Sequence, residues 1–274
     1  MRQIHVLMAA GRADRPVDFE DEPGDCPFCP GNESMTPPEI CRLGEPWQVR
    51  VFPNKYPASD HHEVIVDSPV HGIGLADLTQ DQLALATGAW GARVRALYGL
   101  AGVRYVSAFH NHGLTAGASR RHLHTQLIGL DFIPEAIVQE QDFVSSHPGH
   151  ACDIVEKGFV FRENRSVLGL CPAVPAFSYE AWILPKEPGP MLPQDTRDFA
   201  EILGATLRAM NALLGRPDYN IMLKAMPRDW CWRAEIVPRT GYLAGFELDT
   251  ACHIVSILPE RAAAELAEIL SKTT

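Results

Sequence analysis

Strand and helix patterns follow one another in a regular order in the first half of the chain. HHEVIVDSP predicts a strand around residues 63–66, and VRYVSAF and HLHTQLIGL predict two more, separated by the glycine-bearing loop NHGLTAGAS. LALATGAWGARVRALYG predicts a helix between the first two strands, and Thr79 followed by Gln82 forms a capping-box sequence at its start. The first half is therefore predicted as strand, helix, strand, loop and strand.

The second half repeats this order. SYEAWILPK (178–186) predicts a strand, and DTRDFAEILGATLRAMNALLG (195–215) predicts an amphipathic helix with Asp195 as its N-cap. DYNIMLKA and CWRAEIVPR predict strands on either side of the loop PRDW. Two copies of one unit indicate an α+β fold built by internal duplication, with the Pro/Gly-bearing region around 135–150 as the linker.

The last strand of each unit differs in its chemistry between the two copies. Alternation places His122, His124 and Gln126 on one face of the first-half strand. The equivalent positions of the second half carry three residues without an imidazole: Cys231, Arg233 and Glu235. Residues that serve only packing are expected to be similar in both copies, so the asymmetry predicts one active half and one half with another role.

Composition and charge limit the partners of the protein. The chain has 274 residues, of which 46% are hydrophobic and 21% charged, as in ordinary soluble globular proteins. Its net charge of −10 disfavours binding to nucleic acid or to an anionic membrane, so a phosphate-bearing substrate requires a local cluster of positive charge. The apolar stretch in MRQIHVLMAAGRADRP is too short for a signal peptide, and no run is long enough to span a membrane, which predicts a cytoplasmic protein.

Cys26 and Cys29 form a C-x2-C motif in an acidic, proline-rich loop. Two thiolates in a tight turn are half of a tetrahedral Zn2+ site, and His122 and His71 are the best third and fourth ligands. A site with four protein ligands is structural, since it leaves no open position. The alternative is that the two cysteines are loop thiols without a metal and that His71 is a surface residue.

His124 lies next but one to the predicted zinc ligand His122 and is the candidate nucleophile. An imidazole nitrogen attacks phosphorus to give a covalent phosphoramidate, and this chemistry needs donors around the phosphoryl oxygens. Gln126, Ser119 and the amides of the glycine-bearing loop are such donors. Local positive charge is available from four arginines: Arg12, Arg15, Arg120 and Arg121. The alternative for His124 is a hydrogen-bonded core or surface histidine. The alternative for Arg120 and Arg121 is that they form a solvated entrance to the strand.

Eight short segments, in order, resemble the galactose-1-phosphate uridylyltransferase family, the nucleotidyltransferase branch of the histidine-triad superfamily. They are RADRP (12–16), CPFCPGNE (26–33), FPNKYPA (52–58), SPVH (68–71), FHNHGLTAGAS (109–119), HLHTQ (122–126), EAWILPK (180–186) and AGFEL (244–248). The family carries two histidine-triad-like units in one chain, each with an antiparallel sheet and a flanking helix. The resemblance implies a unit at 1–135 with the zinc site and the catalytic histidine, and a unit at 150–274 that contributes to the sugar or acceptor site.

The resemblance also implies a ping-pong reaction at the first unit. A nucleotide sugar gives its nucleoside monophosphate to His124 and releases a sugar phosphate, and a second phosphate acceptor then removes the nucleotide. Gln126 and Ser119 match residues that contact the transferred phosphate. The zinc ligands of the family match the four residues proposed above for the metal: Cys26, Cys29, His71 and His122.

Further matches concern the nucleotide, the sugar and the acceptor. Four residues fall where the family binds the nucleotide: Arg12, Arg15, Asn54 and Asn111. Glu247 matches a carboxylate that binds sugar hydroxyls. The Arg120–Arg121 pair is unusual for the family. This pair, Arg233 or His253 is expected to adapt the acceptor site to an additional anionic group or to free phosphate.

Departures from the family pattern leave the substrate open. Leu123 replaces the usual proline between the two histidines, and Cys231-Trp232-Arg233 replaces a metal motif of the second half, so a second metal site is not expected. NKYPA and GFEL are closer to the ADP-sugar phosphorylases than to the uridylyltransferases proper. The candidate functions are nucleotidyl transfer to a sugar 1-phosphate, phosphorolysis of an ADP-sugar or dinucleoside polyphosphate, and nucleotide binding without catalysis. The family often forms dimers, so a homodimer is compatible with the resemblance.

Overall fold

The computed structural model describes residues 5–15, 19, 22–146, 158–227 and 230–272 of the chain. Within them, ten strands form one continuous antiparallel sheet. The strands are β1 (Cys41–Leu43), β2 (Val49–Pro53), β3 (His61–Val66), β4 (Tyr105–His112), β5 (His124–Leu130), β6 (Phe159–Glu163), β7 (Val167–Cys171), β8 (Ala181–Pro185), β9 (Tyr219–Lys224) and β10 (Arg233–Pro238). The α-helices are α1 (Gln80–Tyr98), α2 (Glu135–Ser146), α3 (Arg197–Leu214), α4 (Gly245–Thr250) and α5 (Pro259–Lys272), and short 3-10 helices lie at Ala10–Asp14, Glu33–Met35 and Leu75–Asp77.

The strand order β1-β2-β3-β5-β4-β9-β10-β8-β7-β6 contains two five-stranded halves that meet edge to edge. Strand β4 of the first half pairs with β9 of the second at the junction. Phe109 of β4 lies opposite Met222 of β9, and these two residues pair in turn with Gln126 and Glu235. An approximate two-fold axis through the junction therefore relates the halves, and the register agrees with the alignment of Gln126 with Glu235.

The predicted α+β class is confirmed, with one difference in the sheet. The sequence predicts a sheet for each unit, whereas the two half-sheets share hydrogen bonds across β4 and β9. The side chain of Asn220 on β9 adds to this junction by donating to Asn111 Oδ1 at 2.9 Å and to the carbonyl of Ala116 at 2.8 Å. The edge strand that each half would otherwise expose is thereby paired, which removes a surface prone to association.

Helices α1 and α3 pack against each other on one face of the sheet. Thr79 caps α1 as predicted, since its hydroxyl accepts from the Gln82 N–H while the Gln82 side chain accepts from the Thr79 N–H. Helix α3 begins one residue later than predicted, because Thr196 rather than Asp195 is its N-cap. The Thr196 hydroxyl lies 2.9 Å from that of Thr87 on α1, so it joins the two helices.

The core between these helices and the sheet is apolar. Its fully buried side chains include Trp90, Leu127, Ile183, Phe199 and Trp232. Each such side chain contributes about 1.5–3 kcal/mol when it is removed from water, so the helix-covered face supplies much of the stability. The polar row of β5 points to the opposite face of the sheet, where it is available for chemistry.

The region predicted as a linker, around 135–150, contains helix α2 up to Ser146. Ile137 of α2 belongs to an apolar cluster with Tyr105 and Trp230. Residues 147–150 lie outside the described part of the chain, as does Pro16 of the RADRP segment. Among the described residues, no helix has the length and apolar character needed to cross a membrane.

Candidate active site

Cys26, Cys29, His71 and His122 lie together, as the sequence predicts. One ligand atom from each residue comes within 4.8 Å of the others. The loop that carries the cysteines is closed by a hydrogen bond from the Cys29 N–H to the Cys26 carbonyl and by the Asn32 side chain, which donates to the same carbonyl at 2.9 Å. His71 follows β3 and His122 precedes β5, so the two paired strands bring both imidazoles to the loop.

The distances within this cluster fit a zinc ion. His122 Nδ1 lies 3.6 Å from Cys26 Sγ and 3.5 Å from Cys29 Sγ, and His71 Nδ1 lies 3.5 Å from Cys29 Sγ. Zinc bonds of about 2.3 Å to sulfur and about 2.0 Å to nitrogen, at the tetrahedral angle, separate the two atoms by about 3.5 Å. His122 Nε2 donates to the carbonyl of Ser68 at 2.8 Å, so the lone pair of Nδ1 faces the sulfurs.

His124 is buried two residues beyond His122, on the same face of the sheet. Its Nδ1 donates to the His122 carbonyl at 2.8 Å, which leaves the lone pair of the neutral ring on Nε2. Burial lowers the pKa of His124 to about 4, although the hydrogen bond to the His122 carbonyl opposes this shift. A neutral imidazole held in one tautomer is the form that attacks an electrophile.

A cavity of about 230 Å3 opens beside His124. Phe28, Phe52 and Val64 give it an apolar side, and the rings of Phe28 and Phe52 lie 5.7 Å apart between centroids. The other side is polar: it includes three cationic residues, Arg15, Lys55 and Arg120, one carboxylate, Asp25, and the uncharged Asn54, Ser119 and Gln126. A cavity of this composition suits a ligand that joins a flat aromatic ring to an anionic group.

Positive charge is concentrated on the polar side of this cavity. Arg15 donates to the hydroxyl of Ser119, and Arg12 donates to the carbonyl of Tyr56 at 2.7 Å. Neither Arg12 nor Arg15 has a carboxylate partner among the described residues. Burial, together with the charges of Arg12 and Arg120, lowers the pKa of Arg15. A bound anion relieves this repulsion, so the cavity has the local positive charge that a phosphate substrate requires.

A second cavity, of about 140 Å3, shares Arg120 with the first. Asn111, Arg121 and His122 are part of its lining. The guanidinium of Arg121 lies against Gly72, where an added Cβ would meet it at 3.6 Å. Of the predicted nucleotide-binding and acceptor-binding residues, Arg15 and Asn54 therefore line the first cavity, Asn111 and Arg121 line the second, and Arg120 lines both.

Arg233 lies away from both cavities. It donates to Glu235 at 2.8 Å and to Glu140 of α2. Burial disfavours its charge, yet these two carboxylates raise the pKa of Arg233 above the usual value. Two carboxylates within the fold already neutralise its charge, so the structure gives no support to the expectation that Arg233 binds an acceptor anion.

Glu247 and His253 are exposed on and after α4, and neither belongs to the lining of these two cavities. The Glu247 carboxylate accepts from the Ala244 N–H at 3.0 Å, at the start of the helix. The His253 ring packs edge-on against Phe177, with 5.5 Å between centroids. Their contact with a sugar stays a prediction.

His62 is a residue of the site that the sequence analysis does not identify. It is buried on β3, and its Nε2 lies 3.2 Å from Gln126 Oε1. The signal in the sequence is a histidine within the apolar run HHEVIV, on the same strand face as Val64. Only the register, in which Val64 pairs with Gln126, shows which residue the imidazole meets.

Known proteins share this fold, with about a quarter of the aligned residues identical. The ADP-glucose phosphorylase of Arabidopsis thaliana is 27% identical over 314 aligned positions, which cover 96% of this chain and 90% of the relative. The galactose-1-phosphate uridylyltransferase of Thermotoga maritima is 23% identical, with 96% of this chain and 94% of the relative covered. A crystal structure of an ADP-glucose phosphorylase from Arabidopsis thaliana with bound ADP-glucose superposes with a TM-score of 0.84 at 28% identity, covering 95% of this chain and 94% of that chain.

Fold and site together resemble those of the galactose-1-phosphate uridylyltransferases and ADP-glucose phosphorylases. The resemblance found in the sequence is thereby confirmed. More narrowly, the sequence model of the family described as "Domain of unknown function (DUF4921)" matches residues 92–274. Because this match spans more than half of the chain, the protein belongs to that family.

Proposed function

We propose that the protein transfers a nucleoside monophosphate from a nucleotide sugar to a phosphate acceptor through a covalent intermediate on His124. The observation that carries the proposal is the neutral, tautomer-fixed imidazole of His124 at a cavity lined by Arg15, Ser119 and Gln126. The names of the relatives, ADP-glucose phosphorylase and galactose-1-phosphate uridylyltransferase, support this class of reaction.

The proposed reaction has two displacements at one phosphorus atom. In the first, Nε2 of His124 attacks the α-phosphorus of the donor; a P–N bond forms, and the sugar phosphate leaves with the electron pair of the broken P–O bond. In the second, an oxygen of the acceptor phosphate attacks the same phosphorus, and the electron pair of the P–N bond returns to Nε2. The hydrogen bond from Nδ1 to the His122 carbonyl stabilises the positive charge on the ring between the two steps.

Donors on the polar side of the cavity stabilise the charge that develops on the phosphoryl oxygens. The Gln126 amide, the Ser119 hydroxyl and the Arg15 guanidinium all belong to this lining. A preorganised donor of this kind typically contributes about 10²–10³-fold to the rate. The apolar side, with Phe28 and Phe52, accommodates the nucleobase in this proposal.

The cluster of Cys26, Cys29, His71 and His122 is proposed to hold a structural zinc ion. Its four side chains are the ligand set of a tetrahedral structural site, so the ion would hold the N-terminal loop against the strand that carries His124. Phe28, between the two cysteines, packs against the His124 imidazole with 5.3 Å between ring centroids. The proposed metal loop therefore also shapes the cavity.

Two acceptors are supported by different relatives. A sugar 1-phosphate is the acceptor for an enzyme of the uridylyltransferase type, and the Thermotoga maritima relative supports this assignment. Inorganic phosphate is the acceptor for an ADP-sugar phosphorylase, and the Arabidopsis thaliana relative supports that one. In both cases we assign Arg120 and Arg121, at the second cavity, to the anionic group of the acceptor.

A homodimer is proposed to complete the sugar site with Glu247 and His253 from the second copy. Both residues lie on a segment with exposed apolar side chains, which a dimer interface would bury: Tyr242, Phe246, Leu248, Ile254 and Leu258. Mixing inactive H124A copies with inactive E247A copies is expected to restore part of the activity. A protein that is active and monomeric by native mass spectrometry contradicts this arrangement.

Product analysis with a matrix of donors and acceptors tests the proposal. The donors are UDP-glucose, ADP-glucose and diadenosine tetraphosphate, and the acceptors are galactose 1-phosphate and inorganic phosphate. Phosphate-dependent release of ADP from ADP-glucose identifies an ADP-sugar phosphorylase, and exchange between UDP-glucose and galactose 1-phosphate identifies a uridylyltransferase. Nucleotide binding without product from any pair would instead identify a non-catalytic nucleotide-binding protein.

A further inference from the structure

We propose that His62 is a positioning residue that fixes the amide of Gln126 with its nitrogen toward the cavity. The inference rests on the proposed function, because it assigns the donor group of Gln126 to the transferred phosphate. His62 lines neither cavity, whereas Gln126 lines the first one beside His124. His62 therefore acts through Gln126 and not on the substrate.

The backbone decides which nitrogen of His62 carries the proton. The N–H of Ala58 donates to His62 Nδ1 at 3.0 Å. A backbone N–H can only donate, so Nδ1 holds a lone pair. Burial lowers the pKa of His62 to about 4, so the ring is neutral near pH 7 and its single proton lies on Nε2.

Two side chains lie near Nε2, and only one of them can accept its proton. Gln126 Oε1 is 3.2 Å from Nε2 and is an acceptor. Asn54 Nδ2 is 3.1 Å away, but Asn54 Oδ1 already accepts from the Tyr56 N–H at 2.8 Å. The nitrogen of Asn54 therefore faces His62 and offers no acceptor. The proton on Nε2 consequently goes to the oxygen of Gln126.

This hydrogen bond determines which end of the Gln126 amide faces the transferred phosphate. With the oxygen turned to His62, the nitrogen donates to no described residue and is presented to the cavity. The reversed amide would place a carbonyl oxygen against the phosphoryl oxygens, where negative charge increases in the transition state. The neutral His62 imidazole, held in one tautomer, thus fixes the Gln126 amide in the orientation in which its nitrogen donates into the cavity.

Two amide substitutions separate the roles of the two nitrogens of His62. In H62N the side-chain oxygen reaches the position of Nδ1 and keeps the bond to Ala58, but nothing replaces the proton of Nε2. In H62Q the longer amide reaches the position of Nε2 and donates to Gln126, while the bond to Ala58 is lost. We expect H62N to slow single-turnover formation of the nucleotidyl-enzyme about 10²-fold. H62Q should stay within about tenfold of wild type, because it loses one ordinary hydrogen bond.

The order of the two variants is decisive, since a role limited to holding the loop at Ala58 predicts that H62Q is the slower one. That reversed order would overturn the proposal. The KM for the donor should change less than about threefold in H62N, because the lost interaction acts in the transition state. In the Q126A background, H62N should change the rate by less than about twofold, and independent, additive effects would contradict a role through Gln126.

The tautomer is tested without turnover by ¹⁵N NMR of the imidazole nitrogens in the full-length protein. We expect the proton on Nε2 of His62, and a proton on Nδ1 would overturn the proposal. If wild-type protein forms no nucleotidyl adduct with any donor while Nε2 is protonated, the proposed function fails and the tautomer inferred for His62 is nevertheless confirmed. The two failures are therefore distinguishable.

Discussion

The two halves of the sheet have the same register, but the equivalent positions of β5 and β10 carry different side chains: candidate catalytic residues in the first half and an internal ion pair in the second. In the first half, His124 and Gln126 face a cavity beside two arginines, Arg12 and Arg15, that lack carboxylate partners within the described ranges. In the second half, the equivalent Arg233 is covered by the rings of Trp182 and Trp230, at 4.7 and 5.6 Å from its guanidinium carbon to the ring centroids. Helix α2 contributes its second carboxylate partner, Glu140.

The difference between the halves lies in how charge is balanced. In the second half, Glu235 and Glu140 compensate Arg233 within the fold, so nothing further is needed. In the first half, Arg12 and Arg15 have no carboxylate partner among the described residues, so their charge is available to a bound anion. One scaffold position can therefore serve internal ion pairing or ligand chemistry, and the neighbouring elements decide which.

Replacing the imidazole at the first-half position is expected to have the largest effect on activity. H124A should lower turnover by on the order of 10⁴-fold or more, because the covalent route is lost. The measurement is the steady-state rate with the active donor and acceptor pair. R233M, at the position related by the two-fold axis, is the matched control and should retain turnover within about threefold at a temperature where it is folded. Equal losses in both variants would contradict the assignment of chemistry to one half.

Removing a metal ligand should reveal which half depends on zinc. C26S is expected to lose the bound metal and to lower the midpoint of thermal unfolding by about 10 °C, because the N-terminal loop is no longer held to β5. Elemental analysis gives the zinc content and calorimetry gives the midpoint. C231S, at the second-half equivalent of His122, should keep both values close to wild type. A C26S protein with full zinc content contradicts the proposed site.

Breaking the internal ion pair of the second half should affect stability alone. R233M leaves Glu235 buried without its cation and is expected to lower the free energy of unfolding by roughly 3–5 kcal/mol. Urea unfolding at pH 7 measures this change. The double variant R233M/E235Q removes the charge as well and should recover most of the loss. If the single variant is as stable as wild type, Arg233 is not balanced as described.

The acid sensitivity that His62 alone contributes should be the smallest of these effects, and it originates in the first half. The pKa of His62 is about 4 in the folded protein and 6.5 for a histidine fully exposed to water, so between these values only the unfolded state binds the proton. The unfolding free energy should therefore fall as the pH is lowered from 6.5 towards 4, by up to about 1.4 kcal/mol per pH unit from this residue. Above pH 6.5 the contribution is constant.

Urea unfolding of wild type and H62N at pH 7.5, 6 and 5 isolates this contribution, because every other titrating group is present in both proteins. The wild type should lose more stability than H62N between pH 6 and pH 5. Parallel pH profiles for the two proteins would show that His62 is not a neutral buried histidine.

The local features of this structure could be predicted from the sequence. The capping box at Thr79 and Gln82, the strand alternation and the C-x2-C loop depend on neighbouring residues, and each lies where it is predicted. The Cys2His2 grouping could also be predicted, because its chemistry restricts the choice of residues. The position of each half-sheet relative to the other could not, since β4 and β9 are distant in sequence and pair through non-local hydrogen bonds.

Non-local packing also explains why the contacts of Arg233 and the role of His62 could not be predicted from the sequence. Arg233 has the appearance of an anion-binding residue until Glu140, which is 93 positions away, is seen to contact it. His62 acts through a residue on the neighbouring strand, and its tautomer is fixed by a backbone N–H that no sequence pattern identifies. The role of His62 depends on the register of two strands, and that of Arg233 depends on the packing of helix α2. Both are properties of the folded chain.

The most direct test of the central claim is the intact mass of the protein after mixing with ADP-glucose or UDP-glucose in the absence of an acceptor. We expect a gain of one nucleoside monophosphate in the wild type, its absence in H124A, its retention in R233M, and its removal when the acceptor is added. Failure of every donor to give an adduct, or an adduct that persists in H124A, would contradict covalent nucleotidyl transfer at the first-half histidine.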